Sequence, residues 1–299
     1  MKVEEPHRLL HPSTKACHRR PRLIVCDIDG TLVGRDHQIN PSDAAALADA
    51  RSAGFIVSIC TGRSVREAID IIQPLNLTGP GVFVTGATIC NLSDGRTLAR
   101  RTMEPPVVQR LLDFFESLGH AVLMLVDSTD SAGPHYVMTS GPIHAASEEW
   151  FLRNKMHARP MVRGDTATMS SVLRLGIVVD LPHSDEITGQ LRAQFGDSIH
   201  FLALRAPAFE SHVIEVFAPN VDKWTGIEQL CGMLNMDPAD AIPIGDDVND
   251  LPMLRNATLS FAMGNAAADI QRAAKRITRS QSEAGVASAI REILNSDGI

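Results

Sequence analysis

The stretch Leu23-Ile24-Val25-Cys26 is apolar at every position and runs into Asp27-Ile28-Asp29-Gly30. A half-buried strand alternates apolar and polar residues, because its side chains point to opposite faces. A strand without polar alternates must be covered on both faces, as in a parallel sheet sandwiched between helices. The neighbouring sequence agrees. Asn40-Pro41-Ser42-Asp43 opens an Ala-rich helix that Gly54 closes. Phe55 to Cys60 reads as a second strand, Thr61-Gly62-Arg63-Ser64 leads into another helix, and Gly81 to Thr85 reads as a third strand. This alternation predicts an α/β fold with a doubly wound, Rossmann-like parallel sheet core.

The middle of the chain breaks the pattern. Asp94-Gly95 marks a hairpin turn. A mixture of helices and strands follows, among them Pro105 to Leu118, Ala121 to Val126, Arg174 to Asp180 and Ile199 to Leu204. It reads as an inserted α+β cap domain. The parallel pattern is expected to return at Val213 to Phe217. A chain of 299 residues suggests about two domains. The expected division is a disordered tail over 1–21, a first core part over 22–101, a cap over 102–206 and a second core part over 207–299. The tail holds three prolines and three histidines and lacks the apolar stretch of a secretory signal.

Composition narrows the function. There are 28 basic and 35 acidic residues, a net charge of −7. An acidic chain is a poor partner for nucleic acid or anionic lipid. The longest clean apolar run, Ala121 to Val126, is far short of the ~20 residues of a spanning helix. The cysteines Cys17, Cys26, Cys60, Cys90 and Cys231 are odd in number and form no C-x-x-C pair. That argues for a reducing cytoplasm rather than a disulfide framework or zinc site.

In open parallel sheets, sites form beyond the carboxyl ends of the strands. Asp27 and Asp29 follow the first strand, Thr61-Gly62 the second, and Gly245-Asp246-Asp247-Val248-Asn249-Asp250 a later one, while Lys223 opens a helix. Each cluster alone could be a helix cap, a turn or a solvated lysine. Together they suit phosphoryl transfer. A carboxylate can accept a phosphoryl group covalently. Several carboxylates at one place need a hard cation, and Mg²⁺ binds both them and phosphate oxygens. A hydroxyl, an ammonium and helix-start amides can hold the remaining oxygens.

These residues resemble a known family. Asp27-Ile28-Asp29-Gly30-Thr31 is similar to the D-x-D-G-T signature of the haloacid dehalogenase-like (HAD) superfamily. The 245–250 segment with Leu251-Pro252-Met253-Leu254, then Met263-Gly264-Asn265-Ala266 and Glu283-Ala284-Gly285-Val286, resemble its Cof-type (IIB) subfamily in order and spacing. The resemblance covers about Arg22 to Leu294, resting on element pattern alone in the middle. It implies a phosphatase acting on small phosphomonoesters, such as sugar phosphates, with a cap that closes over the site. Asp27 resembles the nucleophile and a Mg²⁺ ligand. Asp29 resembles the general acid and base, its backbone carbonyl also touching the metal. Asp246 resembles the remaining direct ligand. Phosphate contacts fall on the Ile28 backbone, Thr61, Gly62, Lys223 and Asn249. Asp250 sits behind the metal ligands or orients Lys223, and Asp247 is peripheral. Two positions depart from the pattern: Thr85-Gly86-Ala87 stands for N-G-A, and Trp224 for the usual Gly after the lysine. Both bear on substrate preference. A phosphomutase or phosphotransferase on the same core is the alternative, and a phospho-accepting or metabolite-binding module a more distant one. His135, His144, Arg163 and Arg205 of the cap are candidates for substrate contact.

Overall fold

In the computed structural model, residues 22–127, 135–154, 156–162, 164–206 and 210–296 are described. The expected tail, with Cys17, and Arg163 lie outside them. The chain begins with β1 (Leu23–Cys26), α1 (Pro41–Ser52), β2 (Ile56–Ile59) and α2 (Val65–Ile72). A meander follows: β3 (Pro80–Phe83), β4 (Thr88–Asn91) and β5 (Thr97–Arg100). Next come α3 (Pro105–Ser117), β6 (Leu123–Val126), β7 (His135–Met138), α4 (Ala145–Asn154), β8 (Ala158–Pro160) and α5 (Thr166–Ser170). Then β9 (Val172–Asp180), α6 (Leu181–Phe195), β10 (His200–Ala206) and β11 (Ser211–Phe217) complete the middle region. The chain ends with α7 (Lys223–Leu234), β12 (Ala241–Gly245), α8 (Leu251–Asn256), β13 (Phe261–Ala262), α9 (Ala268–Ala273), β14 (Arg276–Ile277) and α10 (Gly285–Ser296).

The core sheet has the order β14-β13-β12-β1-β2, and every pairing in it is parallel. The alternate residues of β1 explain its unbroken apolarity. Leu23 and Val25 pack with Ile227 and Leu230 of α7 and Met253 of α8. Ile24 and Cys26 pack with Leu47 of α1 and Val286 and Ile290 of α10. Both faces are covered, and nothing polar has a place to point. The strand also lies between β2 and β12, where strand order reverses. Crevices open at such a switch point, beyond the carboxyl ends of the strands.

The third strand differs from the expectation. β3 pairs antiparallel with β4, and joins β2 only through one parallel bridge, Cys60 to Val82. It turns back at once, because Val84 and Thr85 take left-handed conformations (φ 51° and 57°) ahead of Gly86 (φ 102°). At Gly86 an added Cβ would stand 2.2 Å from the Asp222 carbonyl, and at Gly226 another would stand 2.5 Å from Val82. These two glycines let the start of α7 press against the turn, which is what carries Lys223 inward.

The cap sheet has the order β10-β11-β9-β6-β7-β8. All its pairings are antiparallel except β7 with β8. The expected return of the parallel pattern at Val213 to Phe217 is therefore corrected. β11 pairs antiparallel with β10 and with β9, seven residues against each. The chain gives the reason. Four residues, 207–210, separate β10 from β11, and a parallel crossover needs a dozen or more. Along β9, Leu175, Ile177 and Val179 are buried in the cap's own core, while Arg174, Gly176 and Val178 take the other face. That second face looks toward the crevice.

Candidate active site

β1 ends at Cys26, so Asp27 is the first residue past its carboxyl end, tied to the sheet by its N–H to the Ile244 carbonyl (3.0 Å). β12 ends at Gly245, which puts Asp246 at the equivalent place one strand over. Between them Gly30, at φ 77°, passes so close to Asp246 that an added Cβ would stand 2.1 Å from its Oδ2. Only glycine fits that approach. Thr31 Oγ1 donates to Asp246 Oδ1 (3.0 Å), and Asn265 Nδ2 to Asp246 Oδ2 (3.2 Å).

Lys223 is fully buried. Its Nζ donates to Asp27 Oδ1 at 2.6 Å and to Asp250 Oδ1 at 2.5 Å. The second oxygen of Asp250 accepts from the backbone N–H of Asp246 (2.8 Å) and of Asp247 (3.0 Å). Asp250 thus braces the ammonium on one side and the 245–250 loop on the other. Burial works against the charge on Lys223, but Asp250 and Asp27 outweigh it and hold its pKa above the ordinary value. Burial raises the pKa of Asp27; Lys223 opposes this, and Asp250, Asp246 and Asp29 reinforce it. Burial and the neighbouring Asp250 push Asp246 up to about 7. One ammonium does not neutralise three carboxylates.

That imbalance bears on a cation. Carboxylate oxygens of Asp27, Asp246 and Asp250 lie within 4.8 Å of one another. Both oxygens of Asp250 already serve Lys223 and the loop amides, which leaves Asp27 and Asp246 as ligands. An all-oxygen donor set with excess negative charge suits Mg²⁺. The Asp29 carboxylate is turned elsewhere. Arg63 grips it with two hydrogen bonds, Nε to Oδ2 at 2.7 Å and Nη2 to Oδ1 at 2.6 Å. Asp29 therefore has only its backbone carbonyl to offer a metal.

Thr61, Gly62, Thr85 and Asn249 converge on the same hollow. The Thr61 N–H donates to Val82 O, and Thr85 N–H to Thr61 O, each at 3.0 Å. A Cβ at Gly62 would stand 3.4 Å from both Asn249 Nδ2 and Thr85 Oγ1. Asn249 Oδ1 and Thr85 Oγ1 are buried with no hydrogen-bond partner among the described residues. Buried polar atoms seldom stay unpaired, so this hollow is shaped for a polar occupant. The side chain of Ile28 is in the core, and only its backbone borders the site. Asp247 is exposed at the rim.

A cavity of about 490 Å³ lies between this hollow and the cap. Asp27, Asp29, Gly62, Arg63 and Asn249 line it from the core, and Arg174, Glu215, Tyr136 and Trp150 from the cap. Among the described residues no helix is long and apolar enough to cross a membrane.

A family model described as haloacid dehalogenase-like hydrolase matches residues 24–290. The chain belongs to the haloacid dehalogenase-like hydrolase family. It is thus an enzyme of that hydrolase family, as its motifs implied. The Bacillus subtilis (strain 168) protein named 5-amino-6-(5-phospho-D-ribitylamino)uracil phosphatase YitU is 29% identical, over 91% of this chain and 97% of the relative. The Arabidopsis thaliana protein named endoribonuclease YBEY, chloroplastic, is also 29% identical, but the chain spans only 45% of it. Among solved structures, a haloacid dehalogenase-like hydrolase from Bacteroides thetaiotaomicron superposes with TM-score 0.74 at 25% identity, over 92% of this chain and all of that one (100%).

Within this hydrolase, three site features escaped the sequence reading. Arg63, which in the sequence is only part of the segment leading into a helix, holds Asp29. Thr85 was noted only as a departure from N-G-A. Its left-handed backbone, costly for a β-branched residue, sets the hydroxyl beside Gly62. Glu67, Tyr136, Arg174 and Glu215 carry no motif, and the alternation along β9 was the one available signal. Of the cap candidates, Arg205 lines the cavity, while His144 pairs with Asp180 at 3.2 Å. Trp224 packs against the core cluster behind α7.

Proposed function

We propose that this phosphatase hydrolyses small phosphomonoesters through an aspartyl phosphate on Asp27, with Mg²⁺ as cofactor. The observation that carries the reading is the convergence of Asp27, Asp246, Asp250 and Lys223 at the switch point, beneath a cavity that reaches the cap. Bound Mg²⁺ would be held by Asp27, Asp246 and the Asp29 carbonyl, and would supply charge neutralisation for the phosphate oxygens.

The residues divide the work. A carboxylate oxygen of Asp27 attacks phosphorus, and the bond from phosphorus to the leaving oxygen breaks. Asp29 gives that oxygen a proton and releases the alcohol. In the second half Asp29 takes a proton from water. The water oxygen attacks phosphorus, the bond to Asp27 breaks, and inorganic phosphate leaves. Lys223 holds Asp27 in line and balances charge on the transferring group. Thr61, the Gly62 backbone and Asn249 bind phosphate oxygens, and the Thr85 hydroxyl stands ready beside them. Arg63 orients Asp29 between turnovers. Asp250 acts through Lys223 and the loop amides.

The test is phosphate release from a panel of phosphorylated metabolites, with Mg²⁺ and with chelator, for the wild type and Asp27→Asn. The reading requires Mg²⁺-dependent release that Asp27→Asn abolishes. Undiminished release by the purified variant removes the nucleophile and the reading with it.

A further inference from the structure

His144 immediately precedes α4, and it closes the start of that helix in two ways. Its carbonyl accepts from the N–H groups of Ser147 (2.9 Å) and Glu148 (3.2 Å). Its ring Nδ1 accepts from the N–H of Ala146 at 3.1 Å. A side chain that satisfies a first-turn N–H is an N-cap, a role usually taken by Ser, Thr, Asp or Asn. The other ring nitrogen, Nε2, lies 3.2 Å from Asp180 Oδ1. A backbone N–H can only donate, and a carboxylate can only accept. The ring in this arrangement is therefore neutral, with its proton on Nε2 and a lone pair on Nδ1. Asp180 stands at the start of α6, but its side chain makes no cap bond there. It serves His144 instead.

Acid removes this arrangement. A proton on Nδ1 takes the lone pair that the Ala146 N–H needs, and sets two donors face to face. The added positive charge also stands at the positive end of the helix dipole. Neighbouring groups decide the balance. His120 arrives from the turn after α3 and lines a small cavity of about 60 Å³ together with His144, Ser147 and Phe151. His183 lies in the first turn of α6. Burial, then His144 and His183, hold the pKa of His120 below its ordinary value, while Asp180 works the other way. Glu148, in the first turn of α4, and Asp180 attract a protonated ring. Glu210 reaches the same end of α6 through its carbonyl, which accepts from the Leu181 N–H at 3.1 Å. Segment 139–143 brings no titratable side chain. The Asp180 side chain is 62% exposed, so its attraction for an imidazolium contributes little. Loss of the cap and repulsion among three histidines outweigh it.

The helix so capped is one wall of the large cavity between core and cap. Ala146, Ser147, Glu149 and Trp150 of α4 line that cavity. The Trp150 and Phe151 rings meet Tyr136 edge-on, with centroids 5.4 and 6.1 Å away. We propose that His144 is a pH-sensitive cap on α4. Neutral, it holds the first turn; protonated, it releases that turn and slackens the cavity wall that the turn carries. This device is separate from the phosphatase chemistry and does not rest on it.

Hydrogen exchange on the full chain tests it, at about pH 7.5 and about pH 5.5, either side of the ordinary imidazole range. Rates are corrected for the intrinsic exchange at each pH. Protection of the Ala146, Ser147 and Glu148 amides should fall about fivefold in acid, the shift that loss of one N-cap produces. Helix α1 is the internal control. Its cap, Asn40, accepts from the Ser42 N–H at 2.9 Å and does not titrate, so α1 should keep its protection. His144→Asn supplies the same kind of cap to α4 and should remove the pH dependence, whereas His144→Ala should be weakly protected at both pH values. The ratio of kcat/KM for p-nitrophenyl phosphate, wild type over His144→Asn, should also fall in acid, because titrations of the reacting carboxylates are common to both. Unchanged α4 protection in the wild type, an equal loss in α1, an equal loss in His144→Asn, or a constant kcat/KM ratio overturns the inference. If His144→Asn proves unstable, the wild-type comparison of α4 with α1 decides. No turnover of the ester fails the phosphatase reading and leaves the exchange result to decide this inference.

Discussion

Two of the buried ionic clusters among the described residues are built on opposite principles. In the core, Lys223 faces Asp27 and Asp250, with Asp246 close by, so negative charge is in excess. In the cap, Arg174 is matched by Glu215 and tied through Tyr136 to Glu67. The first cluster keeps negative charge that no cation among the described residues matches. The second is nearly satisfied, and it holds cap against core. A buried charge group that remains unpaired is costly. A site that keeps carboxylates in excess is thus one shaped for a ligand, whereas a matched network fixes position.

The largest effect should come from breaking the core cluster at its reacting atom. Asp27→Asn is expected to lower kcat by on the order of 10³-fold or more, with the fold retained, as measured by phosphate release and circular dichroism. Next is the contrast between the two cations. Lys223→Met leaves two buried carboxylates facing each other and should cost about 3–5 kcal/mol in urea unfolding. Arg174→Met should cost less, about 1–3 kcal/mol, because it strands one buried carboxylate of an ion pair where Lys223→Met strands two. Equal costs would break the comparison.

A third measurement adds Mg²⁺. At a concentration 100 times its Kd it should stabilise the wild type by about 2.7 kcal/mol, and Asp246→Asn should lose most of that gain. The smallest effect is in pH. The Asp246 pKa is raised from 3.8 to about 7 on folding, so the folded chain binds more protons than the unfolded chain between those values. Stability of the metal-free protein from this group is therefore greatest below about pH 4 and declines as pH rises toward 7. Asp27 shifts in the same direction. Melting temperatures of chelated protein should fall from pH 5 to pH 7.5, and less so in Asp246→Asn. A rise over that range would contradict the excess of negative charge in the core.

Legibility followed the same division. The parallel core showed itself in Leu23 to Cys26, because a strand covered on both faces has no polar alternates. Asp27, Asp29, Thr61, Lys223, Asp246, Asn249 and Asp250 stand at strand and helix ends, where local sequence marks them. β11 was misread, since strand direction depends on the length of the connection as well as on apolarity. Arg63 was indistinct because nothing near it in sequence shows that Asp29, 34 residues earlier, lies within reach.

The order of elements, the strand ends and the residue types gathered there were fixed by the chain itself, since burial and backbone geometry act on neighbouring residues. Which groups share a proton, a cation or a cavity was decided by tertiary structure alone. Lys223 meets Asp27 across 196 residues, and Arg174 meets Gly62 across 112. Charges interact through space at distances that no local pattern records.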